Sequence, residues 1–98
     1  MSQRSLQIIN VAMTTGNNEY TISIPAGAMN VQMKLADATH TVMVYQVSVG
    51  NGGNPANFWT IDADQLSPFG ATKQDAQTLY LMSATSSVSL QMSYFIDQ

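Results

Sequence analysis

Cysteine is absent from this 98-residue chain, and histidine occurs once, as His40. The first absence removes disulfides and thiolate metal sites; the second removes any site built on several imidazoles. Charge is scarce too: Asp, Glu, Lys and Arg make up 9% of residues, against about 25% in ordinary globular proteins. The only basic residues are Arg4, Lys34 and Lys73, scattered in a chain of net charge −3. No phosphate-tracking patch can form from them in one copy, so nucleic acid is not an expected partner. No apolar run approaches the ~20 residues needed to span a bilayer, and no basic segment followed by an apolar run opens the chain. The expectation is a protein without a membrane partner that starts life in a cytosol.

What replaces charge is neutral polarity. Ser, Thr, Asn and Gln together supply more than a third of the residues. A free monomer usually relies on charge for solubility and to protect its sheet edges. Hydroxyls and amides are easier to desolvate and can hydrogen-bond to a neighbour in many registers, which points to a subunit packed into an assembly. Seven methionines are many for this length. Met13, Met29, Met33, Met43, Met82 and Met92 fall in strand-like segments and read as flexible core filler.

The longest β signal is residues 41–49, Thr-Val-Met-Val-Tyr-Gln-Val-Ser-Val. Thr41, Met43, Tyr45, Val47 and Val49 share one side; Val42, Val44, Gln46 and Ser48 share the other. Such a pattern fits a central strand covered on both faces over its first half. It stops at Gly50-Asn51-Gly52-Gly53-Asn54-Pro55. Residues 1–5 read as a polar N-terminal arm ahead of a single domain, 6–98. Residues 6–13 and 19–24 alternate as strands around a turn cluster at 14–18 and look like a hairpin. In residues 29–35, Met29, Val31, Met33 and Leu35 face inward. Residues 58–61 form a short aromatic strand, and 62–77, with Pro68 and Gly70, an irregular excursion. Residues 78–82 and 88–96 complete the set. Seven short strands with turn chemistry between them predict an all-β, single antiparallel sandwich, with a small β-barrel as the alternative.

Chemistry is hard to find. A Ser-His-Asp set would need His40, yet no Gly-x-Ser-x-Gly elbow exposes a nucleophile, and His40 reads as a strand-end residue. Asp62 and Asp64 make an Asp-x-Asp pair, but the remainder of a Ca²⁺ loop is missing. No glycine loop precedes a helix to cradle a phosphate. Neither an enzyme nor a cofactor or metal is therefore expected. Phe58 and Trp59, with Tyr45, are read as core or subunit contact, with a sugar platform as the sharper alternative. The segment from Asn51 to Asn57 is a solvated loop tip or a finger that orders against a neighbour.

The stretch Tyr20-Thr-Ile-Ser-Ile-Pro-Ala-Gly-Ala-Met-Asn-Val-Gln-Met-Lys resembles the opening of small β-sandwich virion proteins of tailed bacteriophages: strand, Pro-x-Gly, strand ending in a basic residue. Phe58-Trp59-Thr60-Ile61, Thr78-Leu79-Tyr80-Leu81-Met82-Ser83 and Val88-Ser89-Leu90-Gln91 resemble their close, so the likeness runs over roughly residues 6–96. The resemblance implies a non-enzymatic capsid decoration or cement protein of the virion. Its partner would be the major capsid protein or another virion protein, and the subunit would be a homo-oligomer, a trimer being favoured. Cementing needs shape-matched contacts with satisfied hydrogen bonds rather than chemistry. The expected contact residues are Gln3, Arg4 and Ser5 of the arm; Asn51, Asn54, Asn57, Phe58 and Trp59 of the loop; and Asp64 and Phe69 of the excursion. The alternative is a carbohydrate- or receptor-binding module on a head or tail fibre, carried by Trp59 and neighbouring amides.

Overall fold

Period-two alternation of apolar with polar residues, rich in β-branched and aromatic types, drives this chain into strands, and the apolar side of each strand decides where it packs. The computed structural model describes residues 4–35, 40–62, 67–70 (backbone only) and 74–97. Within them lie eight strands: β1 (Arg4–Met13), β2 (Tyr20–Ile24), β3 (Met29–Leu35), β4 (Thr41–Tyr45), β5 (Trp59–Asp62), β6 (Ser67–Gly70), β7 (Gln77–Met82) and β8 (Val88–Asp97). They build two four-stranded antiparallel sheets, in the orders β1-β8-β3-β6 and β2-β7-β4-β5.

One hydrophobic cluster fills the space between the sheets. Met13, Val31, Met33, Leu35, Val88, Leu90, Met92 and Tyr94 come from the first sheet, and Ile22, Ile24, Val42, Val44, Ile61, Leu79 and Leu81 from the second. The chain is thus an antiparallel β-sandwich, and the sheets share no strand that would close them into a barrel. The methionines behave as filler: Met13, Met33 and Met92 are buried in this cluster.

Five local expectations change. Residues 14–18 do not close a hairpin: β1 pairs with β8 and β2 with β7, so the turn arches from one sheet to the other. Clean alternation fits either pairing, and the C-terminal strand matches β1 over its whole length. Part of the 62–77 excursion, Ser67–Gly70, adds an edge strand on β3, which its Pro68 permits only at an edge. Arg4 and Ser5, read as part of an arm, belong to β1 and pair with Asp97 and Ile96. The strand expected over 41–49 ends at Tyr45. It is interior, between β7 and β5, as expected, but Val42 and Val44 supply its core face.

The fifth change is in β3. Between Met29 and Gln32 it carries one residue more than β8 does over the same span, a bulge in which Asn30 takes a left-handed φ of 52°. Asn tolerates that conformation better than most residues. The extra residue moves Met29 out of phase: it pairs with Phe95 and is buried apart from the main cluster, not among its inward-facing neighbours.

Candidate functional site

The site begins with a loop that covers a sheet face. Because Val42 and Val44 point into the core, Tyr45 points to the outer face, and so do Tyr80 and Met82 of β7 by the same alternation. An outer face would ordinarily be wet, yet Tyr45 and Met82 are buried. After Tyr45 the chain leaves the sheet and crosses β7 to reach the start of β2, which lies on the far side of β7. We call residues 46–53 the flap.

Glu19 fastens it. Its carboxylate accepts hydrogen bonds from the Tyr45 hydroxyl (2.8 Å), the Ser48 hydroxyl, and the backbone N–H groups of Val49 (2.8 Å) and Gly50 (3.1 Å). The Glu19 N–H donates in return to the Asn51 side-chain oxygen at 2.8 Å. Gly52 N–H donates to the Asn17 carbonyl (2.6 Å), and Asn17 N–H to the Ser83 carbonyl (2.7 Å), so three loops are tied together. Bonds to an ionised acceptor are the stronger kind, and four converge on this one side chain. Desolvation pushes the Glu19 pKa up, but the bonds from Ser48, Val49, Tyr45 and Gly50 outweigh it and hold the carboxyl below its ordinary value of 4.5. Tyr45 moves the other way: burial first, then the bond to Glu19 and its negative charge, keep the phenol protonated well above its ordinary 10.0. The Tyr45 ring also stacks on Tyr80, with centroids 6.0 Å apart and planes 23° from parallel.

The glycines make the crossing possible. Gly50 has φ +77°, a conformation that L side chains rarely adopt. At Gly53 a Cβ would sit 2.4 Å from the Val49 carbonyl oxygen, so the return of the flap admits no side chain.

Beyond the flap the chain returns to β5 and leaves an open groove of about 760 Å³. Val47, Asn54, Pro55, Asn57, Phe58 and Trp59 are among its lining residues. Phe58 and Trp59 are 49% and 52% exposed, and Val47 is 75% exposed. Of the expected contact residues, then, Asn54, Asn57, Phe58 and Trp59 do come together. Asn51 does not join them, because its side-chain oxygen holds the flap to Glu19. Neither tip reading of the 51–57 loop foresaw that its first residues would be clasped to the chain's own sheet.

Trp59 pairs with Val44 at the edge of its sheet and remains half exposed, so of its reading as core or subunit contact the core alternative is overturned. Tyr45 is core-like and lies outside any platform with it. Arg4 and Ser5 sit in β1, where the Arg4 guanidinium is 3.8 Å from the Asp97 carboxylate. Gln3 and Asp64 lie outside the described residues, and Phe69 is placed in β6 by its backbone alone.

Neither a protein-family model, nor a curated protein, nor a solved structure matches the chain. Among the described residues no three of His, Cys, Asp and Glu gather in a cluster that could hold a metal ion. No helix among them is long and apolar enough to cross a membrane.

Sequence reasoning missed Glu19 as the organising side chain. It stands as one polar residue in a regular alternation, and its donors arrive from residues 45–50, far along the chain. The one available signal was that it is among only six acidic residues in the chain.

Proposed function

We propose that this chain is a non-enzymatic structural protein of a tailed-phage particle, a decoration or cement subunit made in the host cytoplasm and bound to the major capsid protein. The observation that carries this reading is the groove beside the flap. Phe58, Trp59 and Val47 are large apolar side chains held out to solvent, Val47 on the flap that Glu19 fastens and Trp59 on strand β5. Aromatic anchors on a rigid base lose little conformational entropy when they dock, and Trp is among the residues that dominate binding energy at interfaces. The amides around them suit a wet rim with satisfied hydrogen bonds. Quantitative mass spectrometry of purified particles tests the proposal by counting this chain against the major capsid protein. A fixed ratio, with re-attachment lost in Trp59→Ala, supports it; purified wild-type particles that contain none of the chain refute it.

The same groove favours one second reading. Asn54 and Asn57 stand beside two half-exposed aromatics, which is the pairing of amide and ring that sugar-binding sandwiches use. Binding on a glycan array, abolished by Trp59→Ala in a folded protein, would decide for that module.

A further inference from the structure

Among the described residues four strands end the two sheets: β1 and β6 in one, β2 and β5 in the other. Every edge strand offers unpaired backbone donors and acceptors, and proteins blunt such edges by shortness, proline, bulges or charge. β6 has four residues, contains Pro68 and meets β3 with a register shift. β5 has four residues and ends in Asp62. β2 has five and begins directly after Glu19.

β1 is different. It runs ten residues without Gly or Pro, roughly 34 Å at strand rise, and stays in unbroken register with β8 from Arg4↔Asp97 to Met13↔Val88. Its outward side carries Leu6 and Ile8, 53% and 55% exposed, next to Phe95 on β8, which pairs with Leu6. Its one charge, Arg4, stands at the end of the strand and is met by Asp97.

We propose that β1 pairs antiparallel with β1 of a second copy of this chain, about a two-fold axis, to give one continuous eight-stranded sheet. Directly opposite residues of an antiparallel pair point to the same face, which limits the registers to those matching outward with outward residues. One of these sets Leu6 against Ile8 of the second copy and Ile8 against its Leu6, with Gln7 on the axis. Four apolar side chains then meet at the centre of the join, flanked by the two Phe95 rings. Charge fits the same occupant. The two Arg4 side chains lie at opposite ends of the pairing, each opposite Asn10, so no like charges face each other across the axis. A strand from an unrelated protein would have to reproduce this neutral, apolar-centred pattern, whereas a second copy carries it by construction. The proposal does not depend on the virion reading.

The test is the mass of the full chain in solution by sedimentation equilibrium over a range of concentrations. The expected result is a dimer near twice the 10.6 kDa chain that dissociates on dilution. Ile8→Lys, at an exposed position, places two like charges near the axis and shifts the chain to monomer, while the far-UV circular dichroism stays that of the parent. Gln7→Cys gives a protein with a single thiol. Under mild oxidation it forms a covalent dimer, since strand neighbours across an axis have the Cα separation that a disulfide needs. Asn10→Cys, away from the axis, does not. A monomer at every concentration, a trimer, or a dimer indifferent to both Ile8→Lys and the Gln7→Cys cross-link would overturn the proposal. The first of these leaves the edge to another protein's strand.

Discussion

Tyr45 and Leu6 both point away from the core, one from each sheet, and they end at opposite extremes: Tyr45 is 1% exposed and Leu6 53%. Their residue types do not explain the contrast, since both are large and one is wholly apolar. The difference lies in what passes over them. The outer face of β4 and β7 receives the flap, held by one carboxylate and its donors. Over β1 and β8 the outer face carries, among the described residues, the Arg4–Asp97 pair at one end and otherwise neutral amides and hydroxyls around its apolar residues, as where Gln91 donates to Asn10 at 3.2 Å. A sandwich can bury an outward apolar side chain with its own loop, or leave it for another chain. This one does the first on one face and presents the material for the second on the other.

The sharpest way to break that contrast is Tyr45→Ala. Removing a fully buried aromatic that also donates to Glu19 is expected to destabilise the fold by about 3–5 kcal/mol. The measurement is urea unfolding, read as a shift in midpoint at constant slope. A loss below about 1 kcal/mol would mean that the flap rests on the sheet without packing into it.

Glu19→Gln asks less of the packing and more of the charge. The amide keeps the length of the side chain but is a weaker acceptor and no longer ionised. The expected loss is about 1–2 kcal/mol, smaller than for Tyr45→Ala because the site is partly solvated. Hydrogen exchange at the Val49 and Gly50 amides should rise with it, while amides of β8 stay protected.

Acidity acts on the same clasp. The folded Glu19 pKa lies below the ordinary 4.5, so the folded state holds its proton less tightly than the unfolded state. Its stabilisation is complete above about pH 4.5 and is lost as pH falls through the folded pKa. Tyr45 is raised, so its contribution is intact below pH 10.0 and declines as pH climbs from there toward its folded value. Unfolding titrations from pH 2 upward should show the acid limb in the parent, reduced in Glu19→Gln. An unchanged acid limb would assign it to other carboxylates.

Much of the first face was legible in the sequence, and little of the second feature that covers it. Alternation at Met33, Leu35, Ile22 and Leu90 identified core residues because burial on one face of a pleated strand imposes period two directly. Val47 shows where that logic stops. It continues the alternation of Thr41, Met43 and Tyr45 and has high β-propensity, yet it lies outside β4 and is 75% exposed. The tertiary bonds to Glu19 override its local preference, and nothing within a few residues of Val47 encodes them. Pairing order was hidden for a similar reason: β1 finds its partner at the other end of the chain. In the candidate site, the neighbouring Asn54, Asn57, Phe58 and Trp59 could be grouped from their shared loop. The separate fate of Asn51 followed from the position of Glu19, which only the fold reveals.

The smallest effect belongs to the bare face. Leu6→Ser and Ile8→Ser are each expected to change the stability of the dilute, monomeric protein by less than about 0.5 kcal/mol, because each side chain already gives half its surface to water. Measured where copies associate, the same substitutions should lower the apparent midpoint more, since anything that binds the folded state alone stabilises it by mass action. The concentration dependence therefore separates two origins of any observed loss. A deficit that persists at high dilution would show that Leu6 and Ile8 pack within their own domain, and would erase the contrast with Tyr45. A deficit that vanishes on dilution would confine their role to contact between chains.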